Sequence, residues 1–384
     1  MRPIHFAVAL LVAAGPLAAQ DGGDRAAFFI TLGRDTVAVE RYARTATSIE
    51  GERVSRAPRT VLLRYHATLT PDGRLARVEL VSRAVANAGA RPQRSVTTFG
   101  ADTATVELTV GDSTRTLKVP IGDASGVLVG NAYAFYEQAV MEARRSRKDS
   151  VLVSFVAPGN PAAFPVTIRR RGADSVSIDY FGSPMLARVD DRGRILGLDG
   201  RATTTKYIVA RVPDADVLAF AQTFAQRETS GQAMGQLSPR DTVRATIGTA
   251  NVLIDYGRPS MRGRTVWGGT LVPWNEVWRT GANSATQLET SADLVIGGTT
   301  LPAGRYTLWT LPSATGSQLI INRETGQWGT EYKAAEDVVR LPLTTSALAS
   351  PVEQFTISIE PSGSAGVLRM RWDRTQLSIP LATR

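Results

Sequence analysis

The feature that most restricts the fold of this chain is a series of short segments in which apolar and polar residues alternate. Residues 59–70 follow this pattern, which is typical of a strand with one buried face. The turn sequences Pro-Asp-Gly-Arg at 71–74 and Asp-Asp-Arg-Gly at 190–193 each separate two such segments, as the turns of β-hairpins do. We therefore expect residues 25–228 to form a curved antiparallel sheet.

Two segments with helical periodicity interrupt these predicted strands. Apolar residues recur at intervals of three and four in residues 128–147 and again in residues 214–227. Asp214 follows Pro213 and is expected to cap the second helix. Both helices are expected to pack on the sheet, so that residues 25–228 form an α+β domain in a mainly β chain.

The composition changes after a polar, glycine-containing stretch at residues 229–236, which we interpret as a linker. All six tryptophans follow this stretch. Short predicted strands separated by Gly and Pro turns indicate a β-sandwich or jelly-roll-like domain over residues 237–384. The sequence therefore predicts two separate domains.

The N-terminus has the features of a secretory signal peptide. Residues 1–19 contain one Arg, an apolar stretch at 6–14 and small residues before Gln20. We expect cleavage near Ala19 and export to the periplasm or the extracellular space, since the chain has no cysteine and no Asn-x-Ser/Thr sequon. The alternative is a buried N-terminal helix, although this stretch lacks the charged face of most surface helices. Because the stretch is shorter than the roughly 20 residues that span a bilayer, we expect no transmembrane segment in the mature chain.

The residue types that this chain lacks exclude several kinds of chemistry. Without cysteine, it has no disulfides, thiolate nucleophiles or Cys-ligated zinc. Its two histidines, His5 and His66, disfavour a Ser-His-Asp triad and exclude a multi-histidine metal site. Phosphate-loop, nucleophile-elbow, zincin and calcium-loop motifs are absent from the sequence. We therefore expect neither a metal nor a cofactor.

The chain is basic, with a formal net charge of +9, or +8 after removal of residues 1–19, which hold one Arg and no acid. Of its 44 basic residues, 40 are arginine. A phosphate-binding or nucleic-acid-binding surface is one interpretation. However, the arginines are dispersed through predicted strands, and the dense run at 144–148 ends a predicted helix, where cations complement the helix dipole. We therefore expect no nucleic acid partner.

Several specific motifs occur in order in the C-terminal region. They are Asp-Tyr-Gly-Arg-Pro-Ser (255–260), Arg-Gly-Arg-Thr-Val-Trp-Gly-Gly (262–269), Val-Pro-Trp-Asn-Glu-Val-Trp-Arg-Thr-Gly-Ala-Asn (272–283), Leu-Pro-Ala-Gly-Arg-Tyr-Thr-Leu (301–308) and Asn-Arg-Glu-Thr-Gly-Gln-Trp-Gly (322–329). Together they resemble the bacterial family called domain of unknown function 2911, over about Leu237 to Leu381. Thr270, after the Gly-Gly pair, departs from the family pattern. The resemblance implies an exported, β-rich domain, but it implies neither an activity nor catalytic residues.

One glycine-rich segment concentrates arginine and tryptophan. The candidate binding residues are Arg258, Arg262, Arg264, Trp267, Trp274, Glu276, Trp278, Arg279 and Asn283, together with Trp328 in a later turn. Arginine and tryptophan together can stack on sugar rings and bind carboxylates or phosphates. Two interpretations stay open: a binding face, or a structural plug in which Arg279 pairs with Asp255 or Glu276.

Three functional hypotheses follow. The first is an exported, non-catalytic module that binds a small ligand, an envelope glycan or an envelope protein through these residues. The second is a glycan hydrolase that uses two carboxylates, of which Asp255 and Glu276 are the best candidates. The third is a periplasmic carrier of lipids or other hydrophobes, because a curved sheet carrying two helices is similar in fold to periplasmic lipid-carrier half-barrels. An open apolar groove in residues 25–228 would support the third hypothesis, and a filled core would exclude it.

Overall fold

The computed structural model describes residues 23–87, 89–180 and 182–383. The signal peptide predicted at residues 1–19 lies outside the described residues. The strands before residue 213 are β1 (Asp24–Leu32), β2 (Asp35–Arg44), β3 (Ser48–Ser55), β4 (Val61–Leu69), β5 (Leu75–Ala84), β6 (Gln93–Phe99), β7 (Thr103–Val110), β8 (Ser113–Pro120), β9 (Ser125–Val127), β10 (Ser150–Val156), β11 (Phe164–Arg170), β12 (Ser175–Tyr180), β13 (Ser183–Val189), β14 (Ile195–Asp199) and β15 (Ile208–Val212). The helices are α1 (Tyr133–Arg145) and α2 (Val217–Arg227), and a short helical turn follows at Glu228–Gln232.

The strands after residue 239 form the C-terminal part. They are β16 (Arg240–Ile247), β17 (Ala250–Gly257), β18 (Thr286–Thr290), β19 (Leu294–Ile296), β20 (Thr299–Leu301), β21 (Gly304–Leu311), β22 (Gln318–Asn322), β23 (Asp337–Pro342), β24 (Thr344–Ser362) and β25 (Ala365–Ala382), with one helical turn at Ala334–Glu336. The chain is therefore mainly β, as the alternating segments predicted.

The N-terminal strands form a single 15-stranded sheet, hereafter the N-terminal sheet. Its order is β8-β7-β6-β5-β4-β3-β2-β1-β15-β14-β13-β12-β11-β10-β9. Neighbouring strands are antiparallel except for the parallel pair β9 and β10. The core of this sheet contains residues of α1 together with residues from both halves of the strand order, so the sheet curves around the helix.

Helix α1 is buried on nearly all sides, and even Glu137 and Gln138 are inaccessible to solvent. Glu40 on β2 caps its N-terminus, because the carboxylate accepts hydrogen bonds from the backbone N–H of Tyr133 (2.5 Å) and from the hydroxyl of Tyr65 (2.6 Å). The helix starts later than the predicted residue 128: Leu128 still bonds to a carbonyl oxygen of β10, and Gly130 has a left-handed φ of +49°, which interrupts a right-handed helix.

Helix α2 packs on the opposite face of the N-terminal sheet, against side chains of β2, β3 and β4. Asp216, rather than the predicted Asp214, caps it, with its carboxylate accepting the backbone N–H of Ala219 at 2.9 Å. Both faces of β1 are consequently covered: Phe28 stacks on a tyrosine of the α1 side, and Phe29 contacts α2. A strand buried on both faces shows no alternation, which is why the sequence pattern does not reveal β1.

The C-terminal strands form two packed sheets, a β-sandwich. One sheet has the order β16-β17-β18-β21-β22-β23, and the other has the order β20-β19-β25-β24. A single hydrophobic core lies between them and includes Trp372 and Phe355. Within the described part of the chain, neither helix has the length and apolar character needed to cross a membrane.

The stability of the N-terminal sheet is expected to fall as pH rises from 5 to 7. Burial raises the pKa of Glu40 from 4.5 to about 7, against the opposing hydrogen bonds from Tyr65 and Tyr133. The folded state therefore holds a proton that the unfolded state has already lost, and Glu40 alone should lower the free energy of unfolding by about 2 kcal/mol across this range. Burial also raises the pKa values of Glu137 and Glu142, so they act in the same direction.

Urea unfolding at pH 5 and pH 7, followed by circular dichroism, measures this change. Glu40→Gln should remove about 2 kcal/mol of the pH dependence, whereas Glu107→Gln, on the exposed face of β7, should leave it unchanged. An equal pH dependence in the wild type and in Glu40→Gln would contradict the expectation.

Candidate functional site

Residues 258–285 form a long loop between β17 and β18 that closes one end of the sandwich. Two predicted binding residues fix this loop to the core. Trp278 is buried and stacks on Trp372 with ring centroids 5.8 Å apart and an interplanar angle of 19°. Trp267 donates its indole N–H to the backbone oxygen of Trp372 at 3.1 Å. These two tryptophans therefore have a structural role.

Two predicted arginines are held by carboxylates. The guanidinium of Arg258 pairs with Asp241 at 2.9 Å. Arg262 pairs with Asp35 at 2.8 Å, and its backbone oxygen accepts the N–H of Arg34 at 3.0 Å, so it joins the loop to the β1–β2 turn. Gly33 in that turn has a φ of +60°, and a side chain there would collide with the backbone of Arg262.

Trp274 and Glu276 lie on the outer side of the loop. Trp274 is 38% exposed and stacks on Trp267 with centroids 6.4 Å apart. Glu276 is exposed, whereas Asp255 is bound to the guanidinium of Arg240, with an Nε to Oδ1 distance of 2.6 Å. Asp255 is thus already neutralised by an ion pair. Within residues 23–87, 89–180 and 182–383, His, Asp and Glu side chains form no group of three that could hold a metal ion.

Five of the ten predicted residues line one cavity of about 540 Å³, hereafter the cationic pocket, between the sandwich and the N-terminal sheet. These residues are Arg264, Trp278, Arg279, Asn283 and Trp328. The N-terminal side contributes a second set of lining residues, including Leu32, Pro58, Thr204, Thr205, Lys206 and Tyr207. No Asp or Glu occurs among the described residues that line the pocket, although three cations do.

Arg279 has an unusual environment. Burial lowers the pKa of its guanidinium to about 10, so it remains charged at neutral pH. Its buried Nε has no hydrogen-bond partner, and among the described residues no carboxylate pairs with it. The predicted pairing with Asp255 or Glu276 is therefore wrong, since Asp255 is held by Arg240. Gly329 gives Arg279 its room, because a side chain at that position would collide with the stem of Arg279.

The other two cations are partly satisfied by backbone oxygens. Lys206 donates to the carbonyl of Arg201 at 3.0 Å, and Arg264 donates to the carbonyls of Met261 and Ser260 at 2.8 and 2.6 Å. Burial, followed by repulsion from Arg279 and Arg264, lowers the pKa of Lys206 to about 8. Burial and repulsion from Arg262 lower the pKa of Arg264 to about 10. Three positive charges thus share a cavity whose described lining holds no carboxylate, although Glu276 attracts Lys206, and Glu353 and Asp35 attract Arg264, from outside that lining.

The sequence did not indicate Lys206 as a site residue. The alternating pattern of residues 203–212 predicts a strand over this whole segment, but the strand β15 begins at Ile208. Residues 200–207 form a loop instead, and Lys206 has a φ of +56°. The one available signal is compositional, because Lys206 is one of only four lysines in a chain with 40 arginines.

A second, larger cavity adjoins the first. This apolar groove has a volume of about 1350 Å³ and lies at the end of the N-terminal sheet where α1 begins. Its apolar lining includes Leu128, Tyr133, Tyr136 and Met185. The groove and the cationic pocket share the residues Thr204, Thr205, Tyr207 and Trp328. The N-terminal sheet is therefore not filled at this end.

Comparisons with known proteins give a family match for the C-terminal part of the chain. No curated protein matches the chain. A crystal structure of a DUF1089 family protein from Pseudomonas aeruginosa is similar, with 12% sequence identity, coverage of 42% of this chain and 89% of that one, and a TM-score of 0.32. A TM-score this low supports no inference about function. Residues 238–381 match the family described as "Protein of unknown function (DUF2911)", which confirms the resemblance that the motifs predicted for this part of the chain.

Proposed function

We propose that the chain is a non-catalytic binding protein that holds a small anionic ligand in the cationic pocket. The observation that carries this proposal is Arg279, a partly buried guanidinium whose buried Nε has no hydrogen-bond acceptor and which forms no ion pair with the described residues. An unpaired buried charge is costly for folding. A carboxylate or phosphate that forks onto the guanidinium would remove that cost.

The remainder of the pocket supports the same ligand class. Lys206 and Arg264 add two charges, and repulsion among the three cations favours the entry of an anion. Trp278 and Trp372 supply an aromatic wall. A volume of about 540 Å³ lies within the usual range for small-molecule sites, roughly 300–1,000 Å³.

The glycan-binding and glycan-hydrolase hypotheses remain predictions with weaker support, whereas the apolar groove favours the carrier hypothesis. Stacking of a glycan on the loop would need exposed aromatic rings, and of the loop tryptophans only Trp274 is largely exposed. A two-carboxylate hydrolase has less support, because Asp255 is neutralised by Arg240. Export also stays part of the proposal, since it depends on residues 1–19. The mature protein would then meet its ligand outside the cytoplasm.

Arg279→Met should weaken anion binding by roughly 10- to 100-fold, which is the value of one or two charge-assisted hydrogen bonds. The same substitution should leave the free energy of unfolding unchanged or raise it, because Arg279 makes no ion pair that would be lost. The probes are inorganic phosphate and benzoate. Isothermal titration calorimetry measures the affinity, and quenching of Trp278, Trp328 and Trp372 reports occupancy of the pocket.

Arg305→Met is the matched control, since it makes the same change of charge on an exposed side chain of β21. It should bind both probes as the wild type does. If neither probe binds the wild type, the anion site is refuted. If Arg279→Met instead lowers stability and leaves binding intact, Arg279 is a structural residue of the loop.

A further inference from the structure

The cationic pocket and the apolar groove lie side by side. They share the lining residues Thr204, Thr205, Tyr207 and Trp328, so only these side chains lie between a ligand in one cavity and the other cavity. Trp328 is 41% exposed and therefore lies at the opening rather than in the core. A ligand larger than a simple anion can occupy both cavities together.

The two ends differ sharply in charge. The pocket contains Lys206, Arg264 and Arg279. The groove contains neither Lys nor Arg among its described lining residues, and Glu331 is the one charged residue there. A ligand that fills both must therefore carry its negative charge at one end and be neutral along the rest of its length.

The surface of the groove is suited to hydrocarbon. Tyr133 and Tyr136, in the first turn of α1, form an aromatic floor with ring centroids 5.4 Å apart. Beneath this floor, Tyr136 packs on the buried ring of Phe155, with centroids 5.3 Å apart. Leu128 and Met185 add aliphatic surface. Burial of methylene groups against such a surface is favourable in proportion to the area removed from water.

We infer that the ligand is an amphiphile with one acidic head group and one alkyl chain, its head in the cationic pocket and its chain in the apolar groove. This inference rests on the proposed anion site and adds the class of the ligand. It also accounts for the size of the groove, about 1350 Å³, which exceeds the usual volume of a site for a small polar molecule, at most roughly 1,000 Å³.

A series of straight-chain carboxylates from butanoate to decanoate tests this inference on the full chain by calorimetry. Affinity should rise roughly fourfold for each added methylene. Decanol, which lacks the charge, should bind at least tenfold more weakly than decanoate. The acidic head group can be a phosphate or the carboxylate of a fatty acid, and decyl phosphate distinguishes the two. Tighter binding of decyl phosphate than of decanoate indicates a phosphate head group, and weaker binding indicates a fatty acid.

Two classes of variant test the binding of the head group and the binding of the alkyl chain separately. Ser183→Trp places an indole in the groove. It should abolish the increase in affinity with chain length and leave the affinity for butanoate unchanged. Asn160→Trp blocks the groove from a surface loop and serves if Ser183→Trp fails to fold. Ser113→Trp, on an exposed position of β8, should behave as the wild type. Arg279→Met should weaken the binding of every carboxylate by a similar factor, and the increase in affinity for each added methylene should stay the same.

The failures of the two proposals give different results. If phosphate and butanoate bind but affinity does not change with chain length, or if the groove-blocking variants keep the full gain, the amphiphile inference is overturned and the anion site stands. If no anion binds at any chain length, the anion site and the amphiphile inference both fail.

Discussion

Replacing Glu137 with alanine is expected to lower the free energy of unfolding by about 3–5 kcal/mol. Glu137 is fully buried on α1, where its carboxylate accepts the hydroxyl of Tyr42 and the backbone N–H of Ile195 at 2.8 Å. It also pairs with Arg211 at 2.6 Å and lies 3.8 Å from Arg44. Alanine would remove the carboxylate that pairs with Arg44, which is also buried and would keep its hydrogen bonds to Gln138 and to the carbonyl of Ala134.

Circular dichroism during urea unfolding is the measurement for Glu137→Ala, because every tryptophan lies in the C-terminal part and does not report on α1. Glu142→Ala is the matched control on the same helix, with the same change in helix propensity. Burial raises the pKa of Glu142 to about 7, and its buried Oε2 has no hydrogen-bond partner. Its removal should therefore be neutral or stabilising. Similar losses in the two variants would show that the network around Glu137 does not hold the helix.

The second large effect is expected at Trp372, where substitution by alanine should also destabilise the sandwich by about 3–5 kcal/mol through the cavity it leaves. Trp372 is only 1% exposed. Its ring contacts Trp278 and Phe355, and its indole N–H donates to the carbonyl of Glu353 at 3.1 Å. Its own backbone oxygen holds Trp267. The substitution therefore removes core packing and loosens the attachment of the loop.

Tryptophan fluorescence during unfolding measures this loss, because it follows the C-terminal part alone. Trp328→Ala removes the same side chain from an exposed turn and should change stability by less than about 1 kcal/mol. A small loss for Trp372→Ala, comparable with that of the control, would mean that the stacked rings contribute little to the sandwich.

Sequence patterns predicted strands that have one face exposed to solvent and one face buried. The alternating segments at 103–110, 150–156 and 175–180 predict strands, and these are the bounds of β7, β10 and β12. The pattern misses β1, whose two faces are both covered, because such burial removes the alternation on which these predictions depend. The start of α1 was placed too early because the apolar residues Leu128 and Val129 are only partly buried and pack against the core without being helical.

Only part of the candidate site could be predicted from the sequence. The composition of residues 258–285 identified the loop, but it did not distinguish Arg258, which is held by Asp241, from Arg279, which has no such partner. That difference depends on which carboxylates lie nearby in three dimensions. Lys206 could not be predicted because it approaches Arg279 from a distant part of the sequence. The apolar groove likewise depends on how the sheet curves at its open end.

The contact between Arg262 and Asp35 has a further consequence. It fastens the loop to the turn after β1, and the walls of the cationic pocket come from both sides of this junction. The pocket consequently exists only while the two sides are docked, and a ligand touching both would act as a reversible crosslink. Its apparent affinity would be scaled by the fraction of molecules in the docked arrangement. The salt bridge between Arg262 and Asp35 would thus affect the fraction of molecules that can bind the ligand, although neither residue needs to contact the ligand.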